Sequence, residues 1–383
     1  MSKGNTVLQS LTSHISRYEF QKSVNLFDGD KKVRTLTTRN LFMALCYAQL
    51  TKSFSIAELQ ASLNANSSRL YHSGIKTIKK STFADALAKR DSQIFEAVFH
   101  QLLAYAHTMY TGSRRYRSPL RIIDATTIAL CVTSYDWAKY RTTKGAIKLH
   151  ASFDPDSQLP HQVFLSNGGV HENTTLQNYE CEEDDILVFD RGYVNYKSFY
   201  RLTLAGSTFV TRLKRNATVT KAITRAQPDD SPVLEDSVGT FAGKNACQDY
   251  PGTIRAIIYR DPETGKMYRF LTNNLDLSAQ SIADIYKQRW QIELFFKWIK
   301  QNLKIKTFFG TSRNAVWSQI YVALSIHLLI WLTKVIQGIE MSLQRIMQVL
   351  KVTALDKRPI HDLFYLPDPD PPPDSLPLFE GAL

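Results

Sequence analysis

The spacing of apolar and polar residues changes near Pro119. Before that point, apolar residues recur at helical spacing, and hydroxyl or acidic side chains stand where helices are expected to begin. Four helices are predicted there: from Thr37 or Thr38 to Leu50, from Ser55 to about Asn64, from Ser81 or Thr82 to Arg90, and from Asp91 or Ser92 to about His107.

After Pro119 the apolar runs become short and strand-like. Strands are predicted at Leu120 to Leu130, Ala146 to Phe153, Gln162 to Ser166, Ile186 to Phe189 and Thr208 to Leu213, with one helix from Tyr196 to Leu204. Short strands separated by turn residues then predict a β-rich insertion at roughly 215–275. Ser278 is expected to cap one long helix, and further helices follow to about Val352.

Composition limits the classes of function. The formal net charge is +12, which favours a polyanionic partner such as nucleic acid or a membrane surface, although solubility alone explains it equally well. The four cysteines have no C-x-x-C spacing, so they indicate neither a zinc site nor a disulfide framework. The most apolar stretch, Ile320 to Val335, is short for a membrane span and is expected to be a buried helix.

One segment, YKQRWQIELFFKWIK at 286–300, carries the strongest chemical signal. On a single helix, Tyr286, Arg289, Glu293 and Lys300 fall on one face, and most other positions are apolar. Carboxylates among cations suit a metal ion that acts on phosphate. The simpler alternative is intrahelical pairing of Arg289 with Glu293, which leaves Tyr286 and Lys300 unexplained.

Two aspartates stand at the ends of apolar runs. Asp124 follows the run RII, and Asp190 follows ILVF and precedes Arg191 and Gly192. Together with the segment at 286–300, these motifs resemble the IS-four-type family of DDE transposases, which are enzymes of bacterial insertion sequences. The resemblance covers roughly residues 30–340, and the motifs occur in the family's order.

The resemblance implies a fold and a domain order. The expected fold class is α/β: a ribonuclease-H-like core with a mixed five-stranded sheet, interrupted by the β-rich insertion and preceded by an all-helical domain. We expect a DNA-binding helical domain at 1–110, a catalytic domain at 111–355 and a disordered, proline-rich acidic tail at 356–383. The helical domain is either a helix-turn-helix-like DNA reader or an ordinary helical bundle.

Cleavage of phosphodiesters in this class uses two divalent ions about 4 Å apart. Hard cations prefer carboxylate oxygens, so Asp124, Asp190 and Glu293 are the expected catalytic residues and metal ligands, with Mg²⁺ as the ion and Mn²⁺ as a substitute. The family uses Tyr286, Arg289 and Lys300 together with the glutamate to bind the transposon end. Arg212 and Lys214 either line a DNA channel or stand on a solvated strand edge.

The predicted function is a transposase that binds the terminal inverted repeats of its element and catalyses Mg²⁺-dependent strand cleavage and transfer. Its partners would be double-stranded DNA and a second copy of the chain, in the bacterial cytoplasm and without a membrane. Two alternatives stay open: a catalytically silent DNA-binding protein derived from a transposase, and a ribonuclease-H-like nuclease without strand transfer.

Overall fold

The computed structural model describes residues 5–213, 218–228 and 230–365, and the chain divides into two compact units. One unit joins the residues up to Met109 with those from Asn302 onward, and the other spans Tyr110–Gln301. The predicted catalytic domain instead extended to residue 355. The difference arises because the helices after residue 302 bury their apolar faces against the N-terminal helices. The tail is predicted to be disordered from residue 356, but residues 356–365 are described and include a 3₁₀ turn at His361–Leu363. The rest of the predicted tail, residues 366–383, lies outside the described residues.

The first unit is helical throughout its described residues. Its helices are α1 (Val7–Leu11), α2 (Arg17–Leu26), α3 (Thr38–Thr51), α4 (Ile56–Ala65), α5 (Ser67–Leu70), α6 (Lys80–Lys89) and α7 (Ser92–Met109), followed late in the chain by α13 (Arg313–Ile336) and α14 (Leu343–Thr353). Helix α13 packs against α7, α3 and α6. It is the one described helix long and apolar enough to cross a membrane, but 94% of its most apolar window is buried, as in a core helix.

The second unit is built on one mixed sheet. Its strands are β1 (Leu120–Leu130), β2 (Lys139–Arg141), β3 (Lys144–Asp154), β4 (Leu159–Asn167), β5 (Ile186–Phe189), β6 (Thr208–Arg212), β7 (Val219–Thr224), β8 (Val233–Phe241), β9 (Ile254–Arg260) and β10 (Met267–Thr272). Its helices are α8 (Glu172–Thr175), α9 (Tyr196–Leu204), α10 (Lys244–Asp249), α11 (Ala279–Lys287) and α12 (Trp290–Asn302).

Five strands form the part of the sheet that positions the site. Their spatial order is β4-β3-β1-β5-β6; β1, β5 and β6 run parallel to one another, β3 runs antiparallel to β1, and β4 runs antiparallel to β3. An aromatic core that includes Phe189, Phe199 and Phe209 covers one face of these strands. Helix α12 packs on the other face, where the ring centres of Phe295 and Phe153 are 5.1 Å apart. This mixed α/β arrangement is consistent with the predicted ribonuclease-H-like class.

The segment near 215–275 is β-rich, but it does not form the separate lobe that its turn-rich pattern suggests. Strand β10 pairs with β6, so β10, β9, β8 and β7 continue the same sheet. The physical reason is that β6 would otherwise be an edge strand with unpaired backbone groups, and β10 satisfies them.

The predicted single helix through Glu293 is also wrong. Ser278 caps α11 as predicted, since its hydroxyl accepts from the Ser281 amide, but α11 ends at Lys287 and α12 begins at Trp290. Between them, the Arg289 amide donates to the carbonyl of Tyr286 at 3.0 Å, an i→i+3 bond that tightens the chain. Tyr286 and Glu293 therefore lie on consecutive helices.

A buried ion pair fixes the extended part of the sheet. The Arg255 guanidinium donates to both carboxylate oxygens of Asp236, at 2.8 and 2.7 Å, and to the carbonyl of Leu277. Both side chains are at most 3% exposed. Arg255 thus ties β8 and β9 to the segment that leads into α11.

We expect Asp236→Ala to lower the free energy of unfolding by about 3–5 kcal/mol, because it leaves a buried guanidinium without its counter-ion. Urea unfolding followed by circular dichroism measures the loss. The matched control is Glu235→Ala, which breaks a more exposed pair with Lys221 and should cost about 1 kcal/mol or less. Equal losses in the two variants would contradict a structural role for the Arg255–Asp236 pair.

Candidate active site

The two aspartates directly follow the last paired residues of two neighbouring parallel strands. Ile123 of β1 is paired with Phe189 of β5, and Asp124 and Asp190 are the next residue on each strand. Beyond Phe189, β5 stops while β1 continues, which opens the sheet at this edge. Asp190 caps the turn that follows, because its Oδ1 accepts from the Gly192 amide at 3.0 Å. The apolar runs thus place both carboxylates at the same end of adjacent strands.

Arg289 links Asp124 to Glu293. Its guanidinium lies 3.7 Å from Oδ2 of Asp124 and 2.5 Å from Oε1 of Glu293. The pairing of Arg289 with Glu293 four residues later is the one anticipated as the simpler alternative, but the additional contact with Asp124 extends it across to the sheet. Because α12 begins only at Trp290, Arg289 lies just before the helix, beside Asp124 of β1.

A second arginine pairs with Asp190. Arg212, the last residue of β6, donates to Oδ2 of Asp190 at 2.7 Å. The Arg212 guanidinium carbon also lies 5.8 Å from the centre of the Tyr286 ring. The same ring packs against Phe270. The Tyr286 hydroxyl is buried and has no hydrogen-bond partner among the described residues. Tyr286 therefore supports the arginine-rich side of the site from within.

The two aspartates have opposite electrostatic environments. Burial raises the pKa of Asp124 to about 6, with a backbone hydrogen bond from Ala125 and the charge of Arg289 acting against it. Burial also acts to raise the pKa of Asp190, but the hydrogen bonds from Arg212 and Gly192 outweigh it and lower that pKa overall. Asp124 is thus the carboxylate whose negative charge is least compensated by the protein.

The remaining predicted DNA contacts are only partly described. Lys300 lies on α12 seven residues after Glu293, and its side chain is half-buried. Lys214 lies outside the described residues. The structure therefore brings Asp124, Glu293 and Arg289 into contact and places Asp190 beside Asp124 through the strand register. Lys300 lies about two helical turns farther along α12.

Sequence reasoning missed an acid–base pair beside the aspartates. Glu172 begins α8, and its Oε1 lies 3.1 Å from Lys148 of β3. A Cβ atom added at Gly192 would lie only 2.9 Å from Oε2 of Glu172. The Glu172 carboxylate therefore lies against the turn that Asp190 caps. Lys148 could be placed beside the expected active-site edge from its position at the second predicted strand, but Glu172 carries no local motif, and the pair forms between residues 24 positions apart.

Other acids in this unit have structural partners. Arg121 lies 3.4 Å from Asp154 and 3.5 Å from Asp185, so these two carboxylates belong to a separate, largely buried ion cluster. Asp184 stands in a turn with a positive φ of 70°.

The donor type at this edge of the sheet suits a hard divalent cation, since the acids there are the carboxylates of Asp124, Asp190 and Glu293. Asp124 has the buried carboxylate that a cation would best compensate. Even so, no group of three or more His, Cys, Asp or Glu side chains is spaced for metal binding within the described ranges. Arg289 lies between Asp124 and Glu293, so a shared cation requires that guanidinium to turn away.

Two family models match the chain. One, described as a transposase DDE domain, covers residues 115–329, which include Asp124, Asp190 and Glu293. The other, described as a domain of unknown function (DUF4372), covers residues 3–76.

Similar proteins carry matching names. The chain is 29% identical over 337 residues to a transposase of insertion sequence element IS5377 from Geobacillus stearothermophilus, covering 87% of this chain and 86% of that protein. It is 32% identical over 281 residues to transposase y4zB of Sinorhizobium fredii, covering 72% and 78%. A transposase of element IS4SA from Synechocystis is 25% identical over 285 residues, covering 71% and 76%. With its ordered acidic motifs and a family match over more than half its length, the chain belongs to the DDE transposases of insertion sequences.

Proposed function

We propose that this transposase binds the terminal inverted repeats of its own element and cuts and joins DNA strands at the edge of the sheet where Asp124 and Asp190 lie. The observation that carries the proposal is the cluster of three acids and two arginines at that edge. It combines ligands for a cation with groups that bind phosphate, which is the combination that phosphodiester chemistry requires.

Asp124, Asp190 and Glu293 would hold the divalent ions, with Mg²⁺ as the ion and Mn²⁺ as a substitute. When bound, such ions activate the attacking oxygen and stabilise the charge on the leaving oxygen. The protein's own part is to fix the carboxylates: the strand register sets Asp124 beside Asp190, and Gly192 and Arg212 hold the Asp190 carboxylate ionised.

Arg289 and Arg212 have the second task, which is to hold the DNA backbone. A guanidinium presents a planar set of donors that matches two phosphate oxygens. Arg289 would be free to bind the strand once its two carboxylate partners, Asp124 and Glu293, hold a cation. Lys300, farther along α12, would bind the next phosphates, and Tyr286 keeps Arg212 in place through its ring.

The order of reaction follows from these assignments. Water first attacks the phosphodiester at the element end, so that the P–O3′ bond breaks and a 3′-hydroxyl is released. That hydroxyl then attacks a second phosphodiester, either on the opposite strand to form a hairpin or in target DNA. The new P–O bond replaces the P–O3′ bond of the attacked strand, whose 3′-oxygen leaves as a hydroxyl. Both element ends have to be held together, which favours a dimer on DNA. The helical unit would contribute to end binding, and the strands β7 to β10 would contact DNA near the cleavage point.

Incubation of the protein with labelled element ends and Mg²⁺ tests the proposal. Nicks at the element boundary followed by joined products are expected. EDTA should abolish both products, because the carboxylates alone supply no electrophile. Cleavage without joining would favour a nuclease instead, and binding without any cleavage would favour a silent DNA-binding protein. Either outcome would contradict the proposed strand transfer.

A further inference from the structure

A polar cavity in the helical unit lies entirely within the segment matched by the domain of unknown function. It has a volume of about 270 Å³ and is formed where the start of α2, the start of α3 and the turn at Ser73 and Gly74 meet. Two of its eleven lining residues are arginines, Arg17 and Arg39, and none is acidic. All eleven fall between residues 3 and 76.

The guanidiniums of Arg17 and Arg39 both line this cavity. Within the described residues, no carboxylate lies at ion-pair distance from Arg17 or Arg39. Burial lowers the pKa of Arg39, and the charge of Arg17 lowers it further, so the two cations are close enough to repel each other. Arg39 is held there because its guanidinium carbon lies 5.4 Å from the centre of the Phe20 ring.

The helix ends add to the positive potential. Arg17 is the first residue of α2 and Arg39 the second of α3, so each cation stands at the positive end of a helix dipole, where cations are unfavourable and anions favourable. Asp30 accepts from the Thr38 amide and hydroxyl at the start of α3, but it does not line the cavity. Ser16, which does line it, accepts from the Glu19 amide and keeps its own hydroxyl hydrogen to donate.

Two neighbouring cations at helix N-termini destabilise the folded protein by repulsion, and a bound anion would turn the same arrangement into a stabilising one. We propose that the cavity between Arg17 and Arg39 is a phosphate-binding site, and that in the working protein it takes a phosphodiester of the DNA backbone. The inference rests on the proposed function only for the source of the phosphate. Arg17 and Arg39 grip the phosphate oxygens, and Ser16 donates a further hydrogen bond.

The first measurement uses inorganic phosphate and the full-length chain. In phosphate-free buffer, added phosphate should raise the Tm of the wild-type protein in proportion to the logarithm of its concentration. Arg17→Gln and Arg39→Gln should lose this rise. Arg17→Gln should also have a Tm equal to or above that of the wild type without phosphate, because it relieves the repulsion. Lys22→Gln, which removes one exposed charge from the middle of α2, is the matched control and should keep the rise.

The second measurement identifies the source of the phosphate. Anisotropy of a labelled duplex in EDTA, at several salt concentrations, should show affinity about tenfold weaker for Arg17→Gln with Arg39→Gln together. The salt slope should fall by about one unit for each lost phosphate contact. Lys22→Gln should change the duplex affinity and the salt slope much less.

The outcomes separate cleanly. Suppose that phosphate raises the Tm of the wild type as expected, but the double variant binds duplex as tightly as the wild type. This result would overturn DNA as the ligand and point to a free phosphate compound. No phosphate effect and no duplex effect would overturn the site itself. Because neither measurement needs cleavage, a failure of the proposed strand transfer would leave this result standing. Normal cleavage by the double variant at wild-type DNA affinity would refute DNA as the ligand of this cavity and leave the proposed strand transfer intact.

Discussion

Asp124→Asn, Asp190→Asn and Glu293→Gln should each reduce Mg²⁺-dependent cleavage of element ends roughly a thousandfold or more, while the protein still binds those ends. Each change keeps the shape of the side chain and removes one negative charge from the strand-end cluster. Duplex affinity in EDTA should stay level or increase, because a carboxylate near phosphate is repulsive. Gel assays of cleavage and anisotropy of binding measure the two properties separately.

A thermal measurement tests whether these carboxylates hold the metal. Mg²⁺ should raise the Tm of the wild-type protein, and each of the three variants should show a smaller rise. The matched control is Glu180→Gln, which makes the same charge change at an exposed position of the same unit. Wild-type cleavage by any one of the three variants would remove that residue from the ligand set.

The sequence predicted the site-forming strands well because their signals are local. Strands β1 and β5 and helix α9 begin and end at the predicted residues, since β-branched runs and a clear change of period mark them. Asp124 and Asp190 could be paired in advance because the carboxyl ends of adjacent parallel strands meet at one edge. The motif order along the chain then identified the family.

The features that sequence reasoning missed depend on contacts between distant segments. No proline or glycine in the sequence marks the break between α11 and α12. At the break, backbone hydrogen bonds of the i→i+3 type replace the α-helical pattern around Arg289. Pairing of β10 with β6 joins segments about 60 residues apart, so a strand-rich stretch could not be distinguished from a separate lobe. Glu172 and Lys148 come together in the same way, through tertiary packing.

Replacement of Arg289 by alanine has the other large expected effect, and it separates a binding role from a folding role. Arg289 lies between Asp124 and Glu293, so its loss leaves two carboxylates facing each other in a site where burial already raises the pKa of Asp124 to about 6. We therefore expect Arg289→Ala to lower the Tm in EDTA. Mg²⁺ should restore that Tm, because the cation replaces the lost positive charge.

Duplex binding should respond differently. With Mg²⁺ present and the fold intact, Arg289→Ala and Lys300→Ala should each weaken binding of element ends and of unrelated duplex alike, and should lower the salt slope by about one unit. Lys297→Ala is the matched control, since it removes one exposed charge from the same helix. If Arg289→Ala stays destabilised in Mg²⁺ while its folded fraction binds DNA as Lys297→Ala does, Arg289 serves the fold. Restored stability with weakened binding instead assigns Arg289 to the strand, because only a phosphate contact would be missing once the acids are neutralised.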